Sequence, residues 1–523
     1  MKQDKASTHH APPASGPEQI TLTGRSLAAE LVERVARGAA ARVSLAPEAW
    51  ERIDAGRRVV DQAIASNTPL YGVTNGLGSR ANERLPREAL VDFSRNTIRG
   101  RSGAMGEPLP ADIVRALMLI RLNTLSIGGA GASRAVPETL LEVVNAGLIP
   151  CMPETASIGS SDLCVMAHLG LALIGEGAFL DPEAEWPFAA SRPARAVLEE
   201  QGITPLEPGP KDGLVLCSSS AFTSARGALA LVDGLRALET AQTTAAMSME
   251  GYRGNPSPLD ARVSAARPQP GQERAAEGLR RRLAGSRLFQ PDGPRRLQDP
   301  LSFRCLAPTH GAAFAAFDFL RSVLDAELNG AGENPLVLPE DHTALSTGNF
   351  QMPLLTVALD AAGQALSHVA LGTIGRCSRM MAGEYAGLPG ALSPHWPGGS
   401  GFAPLMKTAD ALLAEIRHDA LTTPAELSAG ASGVEDTMAN APFAAKKLQR
   451  LIGHVEELLA IEAATAAQAI DLAGVSDTLP PVVAAAYAEV RRLMPALDGD
   501  RPLGGEVSRV WARLVHSGVL ARS

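Results

Sequence analysis

Apolar residues recur at three- and four-residue spacing from Ala221 to Met249, with no internal proline and no long polar break. That is the pattern of a helix with a buried stripe. Ala312 to Leu328, Leu354 to Ile374, Pro404 to Arg417 and Lys446 to Leu472 repeat it. Several of these stretches exceed the usual globular helix of roughly 10–14 residues. They predict long rods packed as a bundle. Upstream, from Ile20 to about Gly213, shorter helical patterns alternate with loops rich in Gly and Pro. Pro69 to Gly78 is one such loop, where glycines permit tight turns. Thr155 to Asp162 is another, and it runs into an apolar helix from Leu163 to Gly175. Pro256 to Pro300 is charged, Arg- and Pro-rich, and reads as a connection between rods. No repeat of fixed period is present. The predicted class is all-α. Residues 1–19 form a disordered tail, 20–213 a loop-bearing N-terminal domain, and 214–523 the long-helix bundle with its C-terminal helices.

Composition narrows the function classes. A net charge of -8 argues against a nucleic-acid surface, which needs a basic face to hold phosphates. Abundant Gly (50 residues) with few aromatics favours helices that approach closely. The five cysteines, Cys151, Cys164, Cys217, Cys305 and Cys377, are odd in number and match no zinc spacing. They predict free thiols in a reducing compartment and no metal site. His9-His10 is a conceivable metal contact, set aside in favour of a mobile tail. With no signal-peptide pattern and no apolar run judged long enough to span a bilayer, the expectation is a soluble cytoplasmic protein with no membrane partner.

The loops carry the chemistry. Tyr71-Gly72-Val73-Thr74-Asn75-Gly76-Leu77-Gly78, Gln298-Asp299-Pro300-Leu301-Ser302-Phe303-Arg304-Cys305, Glu333-Asn334-Pro335-Leu336, Gly348-Asn349-Phe350, Ser400-Gly401-Phe402 and Glu435-Asp436 follow one another in that order. Together they resemble the landmark segments of the aromatic amino acid lyase family, which includes the histidine and phenylalanine ammonia-lyases. Each motif alone is weak, but the ordered set, from Tyr71 to Asp436, is specific. The resemblance implies a homotetramer of helical bundles whose active sites are each built by several subunits. It also assigns Tyr71 as general base and Arg304 as the forked clamp on a substrate carboxylate.

The departures from the family pattern are as informative. In the family an Ala-Ser-Gly triad cyclises and dehydrates into a methylidene-imidazolone, an electrophile that captures the substrate amine. Here the corresponding stretch is Ala156 to Leu163; measured from Pro153 to Asp162 it is one residue shorter than the family segment, and its best match to the triad is Gly159-Ser160-Ser161. Cyclisation needs a strained turn that Gly tolerates and Ser resists, so this prosthetic group is expected to be absent and no cofactor is predicted. The family's Asn-Gly-Thr reads Ser218-Ser219-Ser220, its Tyr in the Gln-Asp-Pro segment is Leu301, and the His after Gly-Asn-Phe is Gln351.

A quaternary trimethylammonium has no lone pair to be captured, and it leaves unaided as neutral trimethylamine. Keeping base and clamp while dropping the amine trap therefore points to a changed leaving group, and in this the sequence resembles the ergothionase type of lyase within the family. Such an enzyme eliminates trimethylamine from a histidine-type betaine, giving thiolurocanate from ergothioneine or urocanate from hercynine. The implied partner is that small-molecule betaine. Resemblance places Glu435 on the imidazole and Arg101 where histidine lyases carry a ring-binding His; an interhelical ion pair is the competing reading of Arg101. Lys407 is a candidate catalytic cation facing a thione or thiolate, or else a solvent-facing lysine on an amphipathic helix. Phe350 is a candidate wall for the methyl groups, with Gln298, Asn349 and Ser218 as polar lining. An unperturbed phenol titrates near 10, so Tyr71 as a base calls for nearby cations, for which Arg304 and Lys407 are candidates. Two other readings stay open: a conventional ammonia-lyase or aminomutase whose variant triad does cyclise, and a catalytically silent scaffold.

Overall fold

The computed structural model describes residues 18–38, 41–181, 191–395 and 397–522. Strand Glu18–Leu22 pairs in parallel with Ala41–Leu45, so Glu18 and Gln19 belong to the fold and not to the expected tail. The rest of that tail, with His9 and His10, lies outside the described residues.

The N-terminal region contributes α1 (Leu90–Arg101), α2 (Ala111–Leu125), α3 (Leu163–Leu173) and α4 (Asp212–Cys217). The bundle consists of α5 (Ala221–Tyr252), α6 (Leu306–Asn329), α7 (Pro353–Met380), α8 (Ala403–Asp419) and α9 (Ala441–Ala473). Five two-stranded sheets among the described residues decorate the loops. The fold is all-α, as the apolar spacing predicts.

Four of the rods start upstream of their predicted first residues, and they share a feature. Pro308, Pro353, Pro404 and Pro442 all sit in first turns, where the missing N–H costs nothing. A proline that reads as a break therefore marks a start. Within the expected connection Pro256 to Pro300, Gln272–Arg282 is a helix because Ala275, Ala276 and Leu279 give it a buried face.

α5 is the central rod, packed along α9 and against α6 and α2. Small residues set that closeness. A Cβ on Gly234 would lie 2.1 Å from the Phe317 ring of α6, and one on Gly251 2.8 Å from Ala469 of α9. A buried polar knot fixes how three rods align. Glu462 of α9 takes the guanidinium of Arg376 on α7 and the hydroxyls of Thr244 (2.6 Å) and Ser248 (2.9 Å) on α5. The main hydrophobic core extends from Ile20 to Leu520 and joins the N-terminal helices to the rods.

One expectation is corrected. Asp212–Tyr252 and Pro353–Met380 are long and apolar enough to cross a membrane by length and composition. Their most apolar windows are 89% and 50% buried inside the protein, and the pairing of rods explains that apolarity.

Candidate active site

The loops bearing Tyr71, Ser160 and Phe350, the segments at Asn334 and Glu435, and the ends of α1 and α4 meet around a cavity of about 430 Å³. The first loop presents Tyr71. Thr74 ties this loop to itself, donating to the Thr68 carbonyl (2.7 Å) and accepting from the Leu70 N–H (2.8 Å). Gly72 has φ +66, and a Cβ there would sit 2.6 Å from the Leu214 side chain, so the turn requires glycine. The loop curls back until the Gly78 N–H donates to the Tyr71 hydroxyl oxygen at 2.9 Å. The phenol oxygen is thereby fixed, and its own proton remains available to another acceptor.

The second loop is the degenerate triad. Asp162 anchors it to the start of α5 by accepting from the Thr223 N–H (2.9 Å) and hydroxyl (2.7 Å), and from Ser157 (2.6 Å). Burial pushes the Asp162 carboxyl up, against these hydrogen bonds, which favour its charged form. Gly159 (φ +83) rests on the first residues of α9, where a Cβ would come within 3.0 Å of the Asn440 and Ala441 nitrogens. Ser160 pairs with Gln351 of the third loop, and the Ser161 N–H donates to the Phe350 carbonyl at 3.1 Å. Ser218, at the end of α4, donates to the Ser161 hydroxyl at 3.2 Å.

These residues do not fit a methylidene-imidazolone. The nitrogen that would have to bond to the Gly159 carbonyl carbon belongs to Ser161, and it is engaged with Phe350. Ser161 itself holds φ +54, the left-handed region that costs a non-glycine residue about 1 kcal/mol. No chemical step is assigned to that group here.

Tyr71, Arg101, Ser160, Ser161, Ser218, Phe350 and Glu435 all line the cavity, and Gly159 adjoins it through the triad. Arg80, Asn334, Gln351 and Asp436 line it too and were missed as site residues. Arg80 was within reach of sequence reasoning, because it closes the short turn Gly78–Arg80 that follows the Tyr71 loop. Among the described residues Arg80, Arg101, Glu435 and Asp436 form no ion pair. Two cations and two anions thus face a cavity free of internal partners, which suits a ligand carrying both signs. Within one chain the ion-pair reading of Arg101 finds no partner among the described residues. Burial pushes the neighbouring Cys164 thiol up, with Arg101 and Glu435 acting on it in opposite directions.

The remaining expected residues lie elsewhere in the chain. Gln298, Asn349 and Lys407 are exposed, and Arg304 is half-buried at the end of the short helix Leu301–Arg304. None of the four lines the cavity, whose two arginines within one chain are Arg80 and Arg101. Asn349 directly precedes the cavity-lining Phe350 but turns outward, its amide lying 3.5 Å from the Ala331 carbonyl. Among the described residues, no three His, Cys, Asp or Glu side chains are grouped to hold a metal ion.

The chain belongs to the aromatic amino acid lyase family, whose model matches residues 27–492. Among curated relatives, histidine ammonia-lyase of Anaeromyxobacter dehalogenans is 38% identical over 96% of this chain and 99% of its own. Among solved structures, ergothionase from Treponema denticola, in complex with desmethyl-ergothioneine sulfonic acid, superposes with a TM-score of 0.91 at 29% identity, covering 96% of this chain and 99% of that one. Histidine ammonia-lyase from Trypanosoma cruzi gives 0.87 at 28%, with 96% and 94% covered.

Proposed function

We propose that this lyase eliminates trimethylamine from a histidine-type betaine, ergothioneine to thiolurocanate or hercynine to urocanate, without a methylidene-imidazolone. The observation that carries this reading is the triad itself. Ser161 occupies a left-handed turn with its amide bonded to Phe350, in a cavity also lined by Tyr71 and an unpaired set of charges. The likeness to the Treponema denticola ergothionase supports it.

In the proposed step Tyr71, as phenolate, takes a proton from the carbon joining ring and Cα. That C–H electron pair becomes the new carbon–carbon double bond. The Cα–N bond breaks, and its pair leaves on neutral trimethylamine. Glu435 and Arg101 hold the ring, and the carboxylate of the acrylate product keeps its charge on Arg304.

Arg304, Gln298 and Lys407 do not line the cavity of one chain, so the proposal includes a homotetramer in which a neighbouring copy brings them to the substrate; a cytoplasmic location completes it. Leu354, Val357 and Leu371 support self-association, because they leave one apolar stripe of α7 exposed in a single chain. Phe350 provides the aromatic wall for the methyl groups.

A second reading, ammonia elimination from histidine, is favoured by the names of the relatives at 38% identity. The test is to add ergothioneine to purified protein, follow the acrylate by ultraviolet absorbance, and weigh the intact protein. Acrylate formation by a protein of unaltered mass is expected. A mass short by two waters would move the assignment to the ammonia-lyase, and binding without turnover would leave a silent scaffold.

A further inference from the structure

Gln351 is a cavity-lining side chain to which the proposed mechanism gives no part. Its amide N–H₂ donates to the Ser160 hydroxyl at 2.8 Å and lies 3.4 Å from the Thr437 carbonyl oxygen. Its backbone bridges Ser160, and the preceding Phe350 carbonyl holds the Ser161 N–H. Thr437 sits in the strand Glu435–Met438, which pairs antiparallel with Glu426–Ala429. The turn joining those strands, Gly430–Gly433, packs against the Gly78–Arg80 turn that fixes the Tyr71 oxygen. One side chain therefore connects the triad loop to the hairpin bearing Glu435, and through the hairpin to the base.

The Ser160 end of this connection exists only if Ser160 is unmodified. Dehydration of a central serine to a methylidene removes the hydroxyl that Gln351 holds. A serine that would be consumed in making the electrophile is here a strut.

We propose that Gln351 is a positioning residue. With the Ser160 hydroxyl it forms a clasp that holds the Glu435–Met438 strand, and so the ring-reading carboxylate, in register with Tyr71. Its catalytic consequence rests on the trimethylammonia-lyase reading; the clasp itself does not.

Two measurements on the full-length protein separate these layers. Hydrogen exchange reads the clasp directly, because the hairpin amides are protected only while it stays docked. Gln351→Met keeps the volume and removes the amide, and Ser160→Ala removes the hydroxyl. Each is expected to speed exchange over residues 426–438 by about tenfold, the weight of one or two net hydrogen bonds, while α5 exchange stays unchanged. The double variant is expected to match the Gln351→Met single variant, because the two groups act through one contact. In turnover, the clasp variants raise KM for the betaine about tenfold, and Gln351→His restores most of that loss with a ring N–H. Unchanged exchange over 426–438 in both single variants, or fully additive effects in the double variant, would overturn the clasp. Altered exchange with no trimethylamine release by the unmodified protein would leave the clasp standing and remove the proposed reaction.

Discussion

Replacing Tyr71 with Phe separates catalysis from architecture, because the structure gives the hydroxyl one weak structural tie and one proposed chemical task. The tie is the 2.9 Å hydrogen bond from the Gly78 N–H. Tyr71 and Gly78 are both only half-buried, so the freed N–H can turn to water and the stability cost is at most about 1 kcal/mol. In a chain of this size that lowers Tm by no more than about 2 °C. The chemical task is worth far more. A positioned base contributes about 100- to 10,000-fold, or roughly 3–5 kcal/mol of barrier. Betaine affinity is expected to stay within about threefold, since ring and carboxylate are assigned to Glu435, Arg101 and Arg304. The assay is acrylate formation under single-turnover conditions, with binding read separately by calorimetry and folding by thermal melting. A Phe variant that keeps more than a tenth of the wild-type rate would refute the assignment of Tyr71 as base. So would one that loses rate only in proportion to folded protein.

The buried pair of Arg376 and Glu462 links α7 to α9, with α5 hydroxyls completing the shell; Glu462→Ala leaves a guanidinium uncompensated and should cost about 3–5 kcal/mol, read as a lower urea midpoint. Burial raises Glu327, which accepts from Ser220 at 3.3 Å, from its usual 4.5 to about 7. A carboxyl raised on folding stabilises the fold below about pH 4.5, and that contribution fades as pH rises through 7. Relative to Glu327→Gln, wild type should therefore lose about 2–3 kcal/mol between those limits, and parallel pH–stability curves would contradict this origin. Lys407→Ala should reduce turnover of ergothioneine at least tenfold more than that of hercynine if the lysine faces the ring sulfur; equal losses would place it elsewhere.

Much of the architecture was legible because long apolar periodicity has few physical solutions. Ala221 to Met249 repeats its apolar residues too regularly and for too long to be anything but a buried rod. The ends were harder to place. Proline is ambiguous between a stop and a first turn, as Pro308 and Pro442 illustrate. Apolar length was also misjudged, because a rod wrapped on all sides by partners, as α5 is, reads like a membrane span.

The site divided along a similar line. The family resemblance pointed to Tyr71, Ser160, Ser161, Ser218 and Glu435, and the fold brings all five to one cavity. Gln351 was not found as a site residue, since its contacts arise from how separate loops touch, which no local pattern encodes; Arg80, in the turn that follows the Tyr71 loop, was closer to hand. Arg304 and Lys407 stand away from the cavity of their own chain, so the roles that resemblance assigned them are not visible in one chain.

The most direct test of the leaving group is the amine itself, measured in parallel reactions of the purified protein with ergothioneine, hercynine and histidine. Trimethylamine from a betaine, with histidine inert, is the expected result. Ammonia released from histidine, with both betaines untouched, would contradict the account.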